Sequence, residues 1–459
     1  MLLDPAALDK IIQQTISKGH QFVEIFAERK YTNSLSMENN KLEKIRNGID
    51  AGTGLRIING DQTFYGFANS LDETEVSNLA QEVSAFAKRS TKGKYNHLGQ
   101  AVGRSAPLAK RHPETVSMQE RIAAISLANQ AARDFDKRIA QATVSFADSA
   151  QEILIANSEG LLATDHRIRS RLAVQAIAQK GGMIQTGFEG PGTTQGFEMF
   201  ETFNPDSIGH EASRRAIHNL EAEPAPSGTM PVVLAGEAGG TMVHEACGHA
   251  LEADFIYKGI SVFNNSLGKK RVSPLVSVID DGTISGMYGT TTIDDEGTPC
   301  QKNILIDKGY VRRFMNDRIN AHALGLKLSG NGRRESYKYI PMPRMTNTYI
   351  AAGKSSYSEI ISSLKQGLLV KKMGGGQVDI TNGNFVFEVT EGYLVKNGRI
   401  VTPIRGATLV GNGIDVLASV DMVGDDLHFI PGICGKGQSA PVSDGQPTLR
   451  IPKLIIGGQ

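Results

Sequence analysis

Apolar residues recur at helical spacing over 5–18 (Leu8, Ile11, Ile12, Ile16), which predicts an amphipathic helix. The period then changes to two: over 21–28, Phe22, Glu24 and Phe26 interleave with Val23, Ile25 and Ala27, the mark of a strand. Strand-like runs follow at 33–38, 41–47 and 52–58, and Asn59-Gly60 is a hairpin signal leading into 62–68. Helical patterns return at 73–89 and 117–135. A second β group spans 139–189 with a turn at Ser158-Glu159-Gly160, and another helix fits 207–220. The stretch 221–228 holds Pro224 and Pro226 and reads as a break between domains.

Beyond the break, 230–234 is a short apolar strand and 237–252 is helical in pattern. The rest reads as short strands with glycine turns at Asp281-Gly282, Asn382-Gly383 and Asn397-Gly398. Gly374-Gly375-Gly376 interrupts two of them, and short helices fit 317–326, 358–366 and 413–420. The expected fold class is α+β: an N-terminal α+β domain over 1–223 and a β-rich C-terminal domain over 229–459.

Composition narrows the function. Among 459 residues, 49 Lys and Arg nearly cancel 48 Asp and Glu, so no basic surface invites nucleic acid or an anionic membrane. No apolar run is long enough for a spanning helix. The start carries Asp4 and Asp9 and does not read as a signal peptide. Three cysteines (Cys247, Cys300, Cys434) cannot all pair within one chain; without an export signal, reduced thiols in a cytoplasm are expected.

The densest chemistry is His244-Glu245-Ala246-Cys247-Gly248-His249. Neutral imidazoles ligate zinc and similar metals, and a glutamate beside a ligand can activate water. The usual zinc-protease spacing, His-Glu-x-x-His, sets the histidines one turn apart. Here one more residue intervenes, so a regular helix would point the rings about 140° apart. Convergence requires a widened turn or a break at Gly248, where glycine makes distortion cheap. Otherwise the two are hydrogen-bonded core histidines.

A catalytic metal takes three protein ligands plus water. Cys247, Glu252, Asp254, Cys300, His428 and Cys434 are candidates for the third. Cys247 fits better as a small buried residue on an apolar helix face. Glu252 suits a place beside the metal or behind His249. Cys434 is flanked by Gly432, Gly435 and Gly437, and Lys436 could favour its thiolate. Residue patterns leave the choice open. The 236–240 turn lacks a phosphate-loop spacing and reads as a plain strand-to-helix connection.

The run from His244 to Asp254 resembles the signature of the TldD/PmbA family of metallopeptidases. So do Met373-Gly374-Gly375-Gly376-Gln377-Val378-Asp379, Gly432-Ile433-Cys434-Gly435-Lys436 and Gly445-Gln446-Pro447-Thr448. The likeness covers essentially the whole chain. The helix motif combined with the C-terminal cysteine separates its branch from the paralogue PmbA, also called TldE, which lacks the histidine-glutamate motif. The resemblance implies a metal held by His244, His249 and Cys434, with Glu245 as catalytic base. It also implies a heteromer with a PmbA/TldE-like paralogue that takes unfolded peptides through an internal cleft, self-association being the alternative. Family roles include maturation of peptide antibiotics and degradation of antitoxins. The family's older label, modulator of DNA gyrase, gains no support from the near-neutral charge.

On this reading the chain is a peptidase with one divalent ion, zinc or alternatively iron, cleaving unfolded or extended peptides. Strand edges in the β-rich half would hold an extended substrate by main-chain pairing. The rivals are a non-catalytic scaffold that docks peptide or paralogue, and an amidohydrolase acting on small amides.

Overall fold

The computed structural model describes residues 1–87, 93–99, 102–105 and 109–458. The first helix, Pro5–Ile16, starts where Asp4 accepts the Ala7 N–H and Pro5 occupies the first turn, where its missing N–H costs nothing. Its apolar stripe packs, with helix Glu73–Phe86, against strands Phe22–Glu38 and Lys41–Asn59. The last part of the helix expected over 73–89 lies outside the described residues. Helix Met118–Asp134 opens on a reciprocal cap between Ser117 and Glu120 and shares a second core with helix Pro205–Glu221.

These helices serve one eight-stranded sheet. Its central order is Gln62–Ala68, Lys41–Asn59, Phe22–Glu38, Ile139–Asn157, Leu162–Lys180. The separate runs expected at 21–28 and 33–38, and at 41–47 and 52–58, are two long strands of 17 and 19 residues, paired from Phe22↔Ile58 to Glu38↔Lys41. Asn39 and Asn40, both at positive φ (47° and 63°), make the tight turn between them. The gaps between the expected runs, 29–32 and 48–51, pair with each other from Arg29↔Ala51 to Thr32↔Gly48, so backbone pairing carries both strands through them.

Two further large sheets, and a two-stranded pair of Gly332–Arg333 with Met342–Pro343, lie in residues 223–457. In one, Gln366–Val378, Gly228–Leu234, Leu449–Gly457, Thr408–Asn412 and Asn384–Lys396 pair in turn, and the last pairs back with the first, closing a ring. The other has six strands and ends on Asn347–Ile350, Ser439–Gln446 and His428–Gly435, the last at its edge. The fold class is thus α+β with a β-rich C-terminal region. The glycine run does not separate two strands. It sits inside Gln366–Val378, where the register slips three times, and a Cβ on Gly376 would fall 1.9 Å from the Phe387 ring. No helix among the described residues is long and apolar enough to cross a membrane.

A buried ionic network joins the first sheet to the later half. Arg56 reaches Glu24 and Glu296, each at 2.7 Å, and Arg334 reaches the other Glu24 oxygen at 2.7 Å. Arg167 bonds Asp165 at 2.9 Å and Asp295 at 2.6 Å. Removing one member strands its partners' charge away from water. Arg56→Met is therefore expected to lower the unfolding free energy by about 3–5 kcal/mol, read from urea denaturation. A change within about 0.5 kcal/mol, typical of surface substitutions, would contradict this account.

Candidate metal centre

Strand Gly228–Leu234 delivers the chain to Gly239-Gly240, and close packing explains both glycines. Gly239 has φ +78° and lies against Ile430, and a Cβ on Gly240 would stand 2.4 Å from the Gly445 backbone nitrogen. The helix therefore starts pressed against strand Ser439–Gln446. The segment expected as one helix over 237–252 is broken: a short turn at Gly236–Ala238, helix at Thr241–Val243, a widened turn at His244–Gly248 and a tighter one at His249–Leu251. In the widened turn the His249 N–H bonds the His244 carbonyl five residues back. The extra residue swings the rings onto one side, with centroids 4.9 Å apart and planes nearly perpendicular at 88°. Gly248 keeps ordinary helical angles (φ −57°, ψ −57°), so its conformational freedom is not what permits the distortion. Its missing Cβ makes room for Met345 instead, whose sulfur would lie 2.1 Å away.

The structure brings Cys434 to these rings from strand His428–Gly435. Its sulfur lies 3.1 Å from His244 Nε2 and 3.3 Å from His249 Nε2. All three side chains are buried, with their ligand atoms within 4.8 Å of one another. Zinc bonded to sulfur at about 2.3 Å and nitrogen at about 2.0–2.1 Å would hold such a pair about 3.6 Å apart in a tetrahedron. The observed separations are a few tenths shorter, within reach of small side-chain rotations. One thiolate and two imidazoles are zinc donors.

Each imidazole is braced from behind. His244 Nδ1–H donates to Asp444 at 2.6 Å, and His249 Nδ1–H donates to Glu252 at 3.0 Å. Such carboxylates fix the tautomer that turns Nε2 inward and strengthen it as a ligand. Burial disfavours charge on both rings, but the carboxylates outweigh it: His244 is raised well above its ordinary pKa and His249 to about 9. Burial alone would raise the Cys434 thiol; the two histidines override it and bring it to about 6.

Lys436 does not act on the thiolate. Its ammonium donates to Glu252 and Asp254, both at 2.8 Å, and to the Pro343 carbonyl at 3.2 Å. Burial would raise Glu252, but Lys436 and His249 hold it at about 2. Asp254 serves the same brace. Arg344, fully buried, donates to the carbonyls of Cys434 (2.7 Å) and Gln438 (2.6 Å), tying both sides of the turn that presents the cysteine. Neither Arg344 nor Asp444 stood out in the sequence. For Asp444 a signal existed: a turn at 436–438 pairs Cys434 with Ala440, and Asp444 follows on the same face by strand alternation.

The other candidates lie elsewhere. Cys247 is enclosed in the apolar core, where burial raises its thiol pKa. Cys300 contacts Thr291 at 3.1 Å, and burial pushes it up to about 12. His428 lies at the far end of the cysteine's strand, exposed, beside a large cavity. Glu245, in the widened turn, is partly exposed and has no hydrogen-bond or ionic partner among the described residues.

A buried thiolate and two imidazoles facing inward, on a helix opened to a wider turn, define a metalloenzyme-type donor set. Three stretches of the chain match the PmbA/TldA metallopeptidase domains: domain 1 over 23–91, the central domain over 111–220 and the C-terminal domain over 227–458. The chain belongs to this family and is a metallopeptidase. It is 40% identical over 473 aligned positions, covering 98% of this chain and 95% of the other, to a Buchnera aphidicola protein named Metalloprotease TldD homolog. A Saccharolobus solfataricus relative, 26% identical and covering 98% and 99% of the two chains, is named a zinc metalloprotease. Two among the solved structures that share the fold serve as examples. One is a Thermotoga maritima protein described as a modulator of DNA gyrase (TM-score 0.82, 21% identity, 98% and 99% covered). The other is TldE from Thermococcus kodakarensis (TM-score 0.79, 20% identity, 98% and 100% covered).

Proposed function

We propose that this metallopeptidase cleaves unfolded or extended peptides at one zinc ion held by His244, His249 and Cys434, with Glu245 as the base. The observation that carries the reading is the inward convergence of one thiolate and two carboxylate-braced imidazoles. When bound, zinc supplies Lewis-acid polarisation of the peptide carbonyl and activation of water. Glu245 accepts the proton of the attacking water and returns it to the departing amine. Asp444 and Glu252 hold the rings through the cycle, and Lys436 keeps Glu252 ionised behind His249. The edge strand His428–Gly435 pairs on one side only among the described residues. Its free side offers an extended peptide main-chain partners leading directly to Cys434, with little demand on side chains.

A thiolate with two imidazoles favours zinc over iron. A heteromer with a PmbA/TldE-like paralogue is the partnership supported by the shared fold of TldE, and a cytoplasmic location suits the unpaired thiols. The scaffold alternative drew on the five-residue histidine spacing, and the widened turn removes that objection.

Chain purified without added metal should carry about one zinc per chain. A strong chelator should abolish cleavage of an unfolded peptide, assayed alone and with a TldE-like partner, and zinc should restore it better than ferrous iron. Metal-free protein whose cleavage ignores the chelator would sink this reading.

A further inference from the structure

A cavity of about 680 Å³ lies between the first sheet and the edge strand that carries Cys434. Phe188, Phe203, Ile208, Phe429, Ile430 and Pro431 give it an apolar wall. Two cations, Arg215 and Lys372, also line it, beside the carboxylates Glu189 and Glu237, the latter 3.6 Å from Lys371; the cations differ in kind. Arg215 is fully engaged, donating to Glu189, Glu211, Glu391 and the Phe188 carbonyl. Lys372 is not. Its side chain is 17% exposed and its nearest carboxylate, Glu189, stands 3.9 Å away, beyond hydrogen-bond reach. Glu189 is already taken by Arg215 and the Gly190 N–H. Glu391, opposite Lys372 in the strand pairing, is taken by Arg214, Arg215 and Tyr393. An ammonium has three donors, and a mostly buried one without acceptors is costly. Lys372 therefore faces a ligand-sized space with no acceptor within hydrogen-bond reach among the described residues, and burial lowers its pKa.

We infer that the Lys372 cavity is a carboxylate subsite for the downstream end of the peptide. This rests on the peptidase reading above. The strand running from Ile430 and Pro431 to Cys434 covers three or four residues, about 10–14 Å at a strand's rise. A peptide laid antiparallel on that edge runs from Cys434 toward His428. Its residues after the scissile bond then enter the apolar wall, and a free α-carboxylate three or four residues beyond the cut meets Lys372. Antiparallel pairing is the direction that brings a chain's C-terminus, its own anion, to this cation.

The test uses the full chain with its metal, and unfolded peptides carrying one to six residues after the cut, each as free acid and as C-terminal amide. At three or four residues the acid should show a KM at least about tenfold below its amide, the scale of one hydrogen bond between charged groups. The gap should collapse in Lys372→Met, persist in Lys372→Arg, and persist in Lys365→Met, an exposed lysine used as control. Amides ending in Glu and in Gln separate the sources: a Glu-over-Gln preference that Lys372→Met abolishes supports the same site filled by a side-chain carboxylate. Wild type that cleaves amides as well as acids at every length, with no Glu preference, overturns the subsite while the peptidase reading stands. So does an acid preference that survives in Lys372→Met. If no peptide of either kind is cleaved, the underlying reading fails instead.

Discussion

Glu245→Gln should keep about one metal per chain and lower kcat for an unfolded peptide by about 10²–10⁴-fold, the usual contribution of a positioned base. The amide nearly matches the carboxylate in shape, so the widened turn and its two histidines should remain in place. It cannot accept a proton at neutral pH, and that acceptance belongs to the transition state. The loss should therefore appear in kcat with KM little changed. Glu245 suits the role because it lacks any internal partner among the described residues, unlike Glu252 and Asp254, which are engaged by Lys436. Full turnover with metal retained would remove Glu245 from the mechanism.

Cys434→Ser should lose most of the bound metal, while Cys300→Ser should keep it. A serine hydroxyl is not ionised at neutral pH and is a far weaker zinc donor than a thiolate. Two histidines then remain, short of the three protein ligands a catalytic metal needs. Cys300 is the matched control, buried at 8% exposure against 5% for Cys434, with its sulfur against Thr291 and the Gly330 carbonyl. Elemental analysis after dialysis reads the outcome, and circular dichroism checks that both variants fold. Equal metal in the two would overturn the assignment of Cys434.

The sequence carried the helices well where one apolar stripe meets one cap, as at Asp4 and Ser117. It split the long strands at 29–32 and 48–51, two stretches that pair with each other and whose local pattern does not extend the runs on either side. At the centre, the spacing of His244 and His249 demanded a distorted helix if the two were to share an ion, and a distorted helix is present. What spacing could not show is the neighbour that fixes it: strand Ser439–Gln446, crossing at Gly240, and Met345 filling the space beside Gly248. Cys434 was one of six candidates because nothing local distinguishes a ligand cysteine from a core one. The family resemblance singled it out, and the hairpin pairing, which sets Cys434 and Asp444 on one face, supplies the physical reason. Arg344 was illegible for the same reason, since its partners are carbonyls rather than side chains.

The distance along the chain between the donors has a consequence for biosynthesis. Cys434 follows His244 by 190 residues and His249 by 185. At translation rates of about 5–20 residues per second, the histidines exist for about 10–40 s before the cysteine is made. Throughout that interval they lack both the Cys434 thiol and the carboxylate of Asp444 that backs His244. If these three residues hold the metal as proposed, the ion the enzyme keeps is decided late, when the last hairpin docks.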